Sequence, residues 1–259
     1  MVHVLWGCLL LTPLACAHTP AAADIDRSVR EFELAASLRA EGSIPGALQH
    51  LERALKYDPD NARAQLLLGL IHLQRRDLPL AETHVRRAVD ILHKRSDLGS
   101  LRAEAHNLLG VVLVRRGQRQ AAVQHFRKAA NDPLNVAPFY AWGNLGWAHF
   151  LRGAHRPAIQ ALRHAVHLQP RFCVGHYRLG RVYHVQRQWR AAEKALTAAL
   201  QADARCQQHY QQAWALRAAT RASMGLQDES IADLERCVEI SKNTKVGQSC
   251  ERDLQNKAP

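Results

Sequence analysis

Six cysteines are the side chains whose chemistry depends most on spacing in this sequence: Cys8, Cys16, Cys173, Cys206, Cys237 and Cys250. No two of them form a C-x-x-C motif, so neither a thioredoxin-like redox site nor a zinc ribbon is indicated. The first two lie near the N-terminus, which leaves four in the body of the chain. Four cysteines in an exported protein suggest two disulfides with three alternative pairings. Four free thiols used as small core residues are the other interpretation.

The N-terminal segment has the features of an export signal. Residues 1–15 contain no Lys, Arg, Asp or Glu, and their apolar core is shorter than the about 20 residues of a membrane-spanning helix. The segment ends in Leu14, Ala15 and Cys16, which resembles a bacterial lipobox. We expect a signal peptide over 1–15, lipidation of Cys16 and a lipid-anchored tether over 16–27. An ordinary signal peptide or a buried N-terminal helix are the alternatives.

Motifs for catalysis or for metal binding do not stand out. The fifteen histidines are spread through the chain and form no H-E-x-x-H motif. His164 and His167 lie three residues apart, but a pair without a third ligand is more typical of a solvated face. The sequence shows no Gly-rich phosphate loop, nucleophile motif or convergent carboxylate pair. We expect no catalytic residue, no metal site and no cofactor.

The composition favours a globular, helical and basic protein. Hydrophobic residues make up 47% of the 259 residues and charged residues 22%, which excludes a disordered chain. Aromatic residues make up only 6%, fewer than a β-rich core usually needs. The net charge of +12 leaves nucleic acid, an anionic membrane surface or an acidic protein as partner classes. Nucleic-acid binding conflicts with export, so we expect no nucleic-acid partner.

A 34-residue internal period is the main structural signal. Ala47 recurs as Ala81, Gly146 as Gly180 and Ala158 as Ala192, each pair 34 residues apart. This period predicts one pair of antiparallel helices per unit, which we call helices A and B. The units are 28–61, 62–95, 103–136, 139–172, 173–206 and 211–244, followed by a C-terminal cap over 245–259.

The residues within each unit resemble the tetratricopeptide repeat. Small residues recur at positions 8, 20 and 27 and a large apolar residue at position 24; in the third unit these are Gly110, Ala122, Ala129 and Phe126. The resemblance implies an all-α, right-handed α-solenoid of six repeats with a C-terminal capping helix. The sixth unit departs from the pattern because Arg217 stands at position 7, where Leu is usual. The register of the repeats favours the pairings of Cys173 with Cys206 and of Cys237 with Cys250.

Helices A of the stacked units are expected to line a concave groove for a partner. Their groove-facing positions carry apolar and aromatic side chains in the central units, and we predict a binding patch of Val111, Val114, Tyr140, Trp147, Phe150 and Tyr177. Packing within the repeats, or coverage by the N-terminal segment, is the alternative. Trp142 and Trp214 are expected in the core. Asn107 is expected to be isolated among neutral neighbours, which disfavours a carboxylate clamp for chaperone C-termini.

The combined features resemble the type IV pilus pilotins, the family that includes Tgl, PilF and PilW. The resemblance rests on the lipobox, on six repeats with little else, and on the stretches 107–110, 130–133 and 144–146. Cys237 and Cys250 around Gly247 resemble the Tgl branch. The resemblance implies a monomeric outer-membrane lipoprotein that faces the periplasm, binds the pilus secretin and promotes its membrane insertion and multimer assembly without catalysis. A different periplasmic scaffold, or a secreted or cytosolic regulatory repeat protein, are the alternatives.

Overall fold

The computed structural model describes residues 20–95 and 98–256. The predicted signal peptide and the predicted lipidation site at Cys16 lie outside these residues. Within them the chain forms fourteen helices and no strand. The helices are α1 (Ala22–Ala40), α2 (Ile44–Tyr57), α3 (Ala62–Gln74), α4 (Leu78–Lys94), α5 (Gly99–Arg115), α6 (Arg119–Ala130), α7 (Pro138–Leu151), α8 (His155–Leu168), α9 (Cys173–Val185), α10 (Trp189–Gln201), α11 (Ala204–His209), α12 (Gln211–Ser223), α13 (Gln227–Ile240) and α14 (Lys245–Gln255).

Consecutive helices pack as A–B pairs, so the prediction of an all-α fold of tetratricopeptide type is confirmed. The pairs are α1 with α2, α3 with α4, α5 with α6, α7 with α8, α9 with α10, and α12 with α13. The chain divides into two compact units, one up to Asn61 and one from Ala62 onward. The first unit therefore holds a single helix pair, and the second holds the other five pairs, α11 and α14.

Helix α1 begins before the first predicted repeat. Residues 22–27 were expected to be part of a tether, but they form the first turns of α1. Ala22 and Ala23 favour a helix, and Asp24 places a negative charge in the first turn, where the helix dipole stabilises it. Asp24 also pairs with Arg27 at 3.5 Å. The tether assignment is therefore wrong for these six residues.

The first helix pair is joined by a buried hydroxyl. Ser28 is fully buried in α1, and its Oγ donates a hydrogen bond of 2.8 Å to the carbonyl of Ala54 at the end of α2. Asn61 Nδ2 in turn donates to Ser28 Oγ at 2.9 Å. These bonds satisfy polar groups that would otherwise lie unpaired in the alanine-rich contact between the two helices.

A glycine in helix A faces the large residue of helix B in four consecutive pairs, of which Gly69 with Val85 is the first. A Cβ added at Gly110 would lie 2.5 Å from the ring of Phe126, and one added at Gly146 would lie 2.6 Å from Leu162 Cγ. The same distance separates a Cβ at Gly180 from Leu196 Cγ. The large side chains are fully buried and would have to move. The small residue at position 8 therefore sets how closely the two helices of a repeat approach.

The turn between helices A and B uses a left-handed residue in every repeat. Four repeats place glycine there, at Gly42, Gly117, Gly153 and Gly225, with φ between 76° and 86°. The second and fifth repeats place Arg76 and Arg187 at the same position, with φ of 63° and 56°. A residue with a Cβ is uncommon in this region, so the repeat pattern imposes the turn even where its sequence does not favour it.

A polar contact between helices A and B recurs in the first three pairs. In each, a histidine at position 23 of helix B places its Nδ1 against the side chain at position 4 of helix A. The pairs are Glu31 Oε2 with His50 at 2.6 Å, Gln65 Oε1 with His84 at 2.8 Å, and His106 Nδ1 with His125 at 3.1 Å. The histidines of these pairs are therefore structural groups inside a repeat.

Two segments at the boundaries between predicted units are helical. Residues 99–102 extend α5 at its start, where Arg102 Nε donates to Asp132 Oδ2 at 2.9 Å. Residues 204–209 form the short helix α11, which the repeat pattern does not predict. Its start is stabilised by the Asp203 carboxylate, which accepts a hydrogen bond of 2.9 Å from the backbone N–H of Arg205.

Helix α14 follows the sixth pair and packs mainly on α13. Thr244 caps its start, with Oγ1 accepting a 2.9 Å bond from the N–H of Gly247. Gln211 Nε2 on α12 donates to the carbonyls of Cys237 and Ser241, each at 2.7 Å, and so binds the end of α13. The structure joins Cys237 to Cys250, with Cα atoms 6.2 Å apart, and Cys173 to Cys206, with Cα atoms 6.4 Å apart.

Removing the disulfide of Cys237 and Cys250 with a double alanine substitution should lower the free energy of unfolding by about 3 kcal/mol, because the bond closes a short loop in the unfolded chain. Both sulfurs lie in the buried contact of α13 with α14. Urea denaturation followed by circular dichroism measures the loss. A dithiothreitol titration of the double variant measures the separate contribution of the disulfide of Cys173 with Cys206. If the double variant and the unsubstituted protein unfold at the same urea concentration, α14 is held by packing alone.

Candidate partner-binding groove

The six residues predicted to form one groove patch differ in their surroundings in the structure. Val111 and Val114 of α5 are partly buried and pack against the core between α3 and α7. Both side chains therefore contribute to packing within and between the repeats. The four aromatic residues are more open, but their ring contacts place them in three groups, around Tyr140, around Trp147 and Phe150, and around Tyr177.

The central aromatic pair lies against two arginines. The ring centroids of Trp147 and Phe150 in α7 are 5.1 Å apart. The guanidinium carbons of Arg178 and Arg181 in α9 lie 5.5 Å and 5.1 Å from the Trp147 ring centroid, within the range of cation–π attraction. Arg181 also lies 5.8 Å from the Phe150 ring. We call these four residues the Trp147 cluster. The middle of the groove was expected to be apolar and aromatic, and the structure adds two cations beside these aromatic rings.

A hydrogen-bonded chain of side chains crosses three helices A beside this cluster. Asn144 Nδ2 of α7 donates to Asn107 Oδ1 of α5 at 3.0 Å. Arg178 Nη1 of α9 donates to Asn144 Oδ1 at 2.9 Å and to the carbonyl of Gly143 at 3.1 Å. Asn107 was expected to be isolated, and that expectation is wrong. The polar chain fixes the Arg178 side chain across the face of the repeats.

Arg178 carries its charge without a carboxylate partner. Burial lowers the pKa of its guanidinium, while the nearby Tyr210 phenol raises it. Among the described residues, no carboxylate forms an ion pair with Arg178 or Arg181. A desolvated cation is costly unless it is paired. The cluster is therefore suited to accept a carboxylate from a partner, with the Trp147 ring as an apolar floor.

Two further aromatic groups flank the cluster. Tyr140, at the start of α7, is 52% exposed, and its ring centroid lies 4.2 Å from that of Phe139 and 5.4 Å from that of Phe172. Tyr177 packs on Tyr210 at 4.9 Å. Burial, followed by the proximity of Tyr177, raises the pKa of the Tyr210 phenol, so this group stays protonated at physiological pH. In both groups a tyrosine offers an apolar ring with a polar hydroxyl at its tip to a partner.

Carboxylates are absent from a long central stretch of the sequence. Residues 133–192 contain eight arginines and six histidines but no Asp or Glu, so all 23 acidic residues lie elsewhere. This stretch includes α7, α8 and α9. Its positive field would draw an acidic partner toward the Trp147 cluster. Sequence reasoning overlooked Arg178, and this one-sided composition was the signal that could have found it.

Other sequence candidates have packing roles. His164 lies over the ring of Trp142, with centroids 4.5 Å apart. Trp142 and Trp214 each pack against buried core residues, as expected. Within residues 20–95 and 98–256, no three His, Cys, Asp or Glu side chains are arranged to hold a metal ion. In the same part of the chain, no helix combines the length and the apolar character needed to cross a membrane.

These features define a class of protein, an all-α repeat scaffold with an aromatic and cationic face for another macromolecule. Two models described as tetratricopeptide repeat match the chain, one over residues 32–95 and 92–136 and the other over residues 211–244. Together they cover more than half of its length, and the chain belongs to the tetratricopeptide repeat family. No curated protein matches the sequence.

The fold is similar to those of several solved structures. PilW, described as a widely conserved type IV pilus biogenesis factor, matches with a TM-score of 0.76 and 21% identity, over 86% of this chain and 97% of that chain. PilF of Pseudomonas aeruginosa matches with a TM-score of 0.73 and 15% identity, over 89% and 99%. YrrB, a repeat protein with an unusual peptide-binding site, matches with a TM-score of 0.54 and 16% identity, over 78% and 97%. At these identities the likeness establishes the fold.

Proposed function

We propose that this protein is a pilotin, an outer-membrane lipoprotein that binds the secretin of a type IV pilus and promotes its membrane insertion and multimer assembly. The observation that carries the proposal is the likeness to PilW, which extends over nearly the whole of that pilus biogenesis factor. The lipobox ending at Cys16 supports the membrane anchor, and the position of the protein is then the periplasmic side of the outer membrane. The role is that of a monomeric, non-catalytic scaffold.

The proposed mechanism has two parts, which are anchoring in the membrane and binding of the secretin. Several acyl chains on Cys16 would anchor the protein stably, where one chain would be marginal. The repeats would then hold a secretin segment against the A-helix face, with an apolar side chain on Trp147 and an acidic side chain at Arg178 and Arg181. Holding the secretin at the membrane raises its local concentration, which favours both insertion and assembly.

The test of the proposal is the state of the secretin in a strain that lacks this protein. Outer membranes are probed for detergent-resistant secretin multimers and for monomer. Loss of multimers with retention of monomer supports the pilotin, and complementation with Cys16→Ala should restore less multimer than the unsubstituted gene. Unchanged multimers overturn the proposal and leave a different periplasmic scaffold, for which the net charge of +12 would suit anionic wall polymers.

Reversing one charge in the Trp147 cluster should weaken secretin binding. We expect Arg181→Glu to reduce the affinity of the purified periplasmic part for secretin by about tenfold or more, because it removes the exposed cation over Trp147. Trp147→Ala should have a similar effect by removing the apolar floor. Phe150 is a poorer choice because it also packs into the core between α8 and α10.

The matched control for Arg181→Glu is Arg190→Glu. Arg190 is an exposed arginine of α10 in the same part of the chain, which contains no Asp or Glu. Because both substitutions replace Arg with Glu, the two variants have the same net charge. Binding is measured by isothermal titration calorimetry, and circular dichroism verifies that both variants fold. Equal losses in the two variants would show that only net charge matters and would remove the Trp147 cluster from the binding site.

A further inference from the structure

A second candidate surface lies on the B-helix side of the fourth and fifth repeats. A cleft of 460 Å³ opens between α8 and α10, with α9 beneath it. Its volume lies within the range of about 300–1,000 Å³ that is usual for ligand sites. The cleft is separate from the Trp147 cluster because the two use opposite faces of α9: Leu179 and Tyr183 line the cleft, whereas Tyr177 and Arg181 face the groove.

The cleft combines an apolar floor with a basic rim. Val166, Leu179 and Tyr183 form the floor, and Arg163, His167 and Lys194 form the rim. No carboxylate lines it. Arg163 and Lys194 are exposed, and within the described part of the chain neither forms an ion pair. The rim therefore offers two unpaired cations on opposite helices, one from α8 and one from α10.

His176 lines the cleft without adding a charge. Its Nε2 lies 3.0 Å from the carbonyl oxygen of Pro170, so this nitrogen carries the proton and donates the bond. Burial is the larger influence on this ring and lowers its pKa, against the smaller effect of the carbonyl. The ring is therefore neutral at physiological pH, and Arg163 and Lys194 supply the positive charge.

We propose that this cleft binds an acidic peptide segment of a partner protein, with one large apolar side chain on the floor and carboxylates at Arg163 and Lys194. The argument is charge complementarity: the α8 and α9 residues of the cleft lie in the stretch 133–192, which contains no Asp or Glu, and Lys194 of α10 adds a second cation just beyond it. An apolar anchor between two cations favours an amphipathic acidic segment over a uniformly charged polymer. The inference does not depend on the pilotin proposal, because it concerns a different face of the repeats.

The probe is a fluorescein-labelled peptide with one phenylalanine flanked by glutamates on both sides. We expect the protein to bind it, and we expect Arg163→Glu with Lys194→Glu to lower the affinity by about tenfold or more. A peptide with glutamine in place of glutamate, and one with alanine in place of phenylalanine, should each bind at least about tenfold more weakly. Fluorescence anisotropy measures the affinity of each of the three peptides for the protein.

The matched control is Arg152→Glu with Arg156→Glu. Both arginines are exposed and lie in the same acid-free stretch, but neither lines the cleft. Equal loss of binding in the two double variants, or no binding of the peptide to the unsubstituted protein, overturns the proposal. Methyl NMR shifts at Val166 and Leu179 on addition of the peptide would support the cleft, and shifts confined to the Trp147 cluster would overturn it.

Vesicles distinguish a peptide from a lipid as the occupant. Phosphatidylcholine vesicles with and without phosphatidylglycerol are sedimented with the unsubstituted protein and with both double variants. If only the cleft variant loses binding to the anionic vesicles while the peptide fails to bind, the occupant is an anionic lipid and the peptide proposal is overturned.

Discussion

Asp233→Asn is expected to lower the free energy of unfolding by about 3–5 kcal/mol, because it leaves a buried guanidinium without its carboxylate. Asp233 is 2% exposed and Arg217 is 8% exposed. Arg217 donates to both carboxylate oxygens, from Nε at 2.9 Å and from Nη2 at 2.7 Å. Arg221 donates to the same carboxylate at 3.0 Å. Arg221 also pairs with Glu193 at 3.1 Å, whereas Asp233 is the carboxylate that pairs with Arg217.

Urea denaturation followed by circular dichroism measures this effect, and Asp228→Asn is its control. Asp228→Asn is the same chemical change on the same helix, but Asp228 is exposed in the first turn of α13. There the interaction of the carboxylate with the helix dipole contributes only about 0.3–1 kcal/mol to the free energy of unfolding. Replacing the pair together, with Arg217→Leu and Asp233→Leu, should recover most of the loss, since Leu is the usual residue at position 7. A loss below about 1 kcal/mol in Asp233→Asn would mean that water reaches Arg217.

The second large effect is a loss of stability in acid that centres on His106. Burial, and after it the positive fields of His125, Lys128, His93 and Arg102, lowers the pKa of His106 to about 4. The unfolded chain would bind that proton with a pKa near 6.5. The neutral ring thus contributes stability that is fully present above pH 6.5 and is lost as the pH falls toward 4. The full loss is about 3 kcal/mol.

The variant that tests this is His106→Gln, because the second repeat already contains that arrangement. Gln65 occupies the equivalent position and contacts His84 at 2.8 Å. We expect the variant to unfold at a similar urea concentration to the unsubstituted protein at pH 7, and to lose less stability between pH 6.5 and pH 4.5. His209→Gln, which changes an exposed histidine of α11, is the control. Parallel stability–pH curves for all three proteins would remove His106 as the source.

The repeat pattern predicts the helix pairs because it reflects packing that is local to each repeat. Gly110 faces Phe126 in the same repeat, so the 34-residue spacing of such pairs is enough to place helices A and B. The ends of the repeats are less predictable, because a few residues decide them. Alanines and Asp24 start α1 early, and the Asp203 carboxylate starts α11 at the end of the fifth predicted unit.

The candidate site was less predictable than the helices. The register places Trp147 and Arg181 on the face of helices A, but it does not show that a long side chain from α9 reaches back over α7. The bond from Arg178 to Asn144, and the position of Arg181 over Trp147, depend on contacts between repeats. Such contacts join residues 34 positions apart, so a pattern read within one repeat does not contain them.

The disulfide of Cys173 with Cys206 has a mechanical consequence. It joins the start of α9 to α11 across a sequence separation of 33, so that both helices of the fifth repeat lie inside a covalent loop. When the chain is pulled along its length, tension passes through the two sulfurs and bypasses this loop. A fully extended segment of that length would add about 110 Å. Extension under load must therefore come from other repeats, and the fifth repeat behaves as a stiff link between its neighbours.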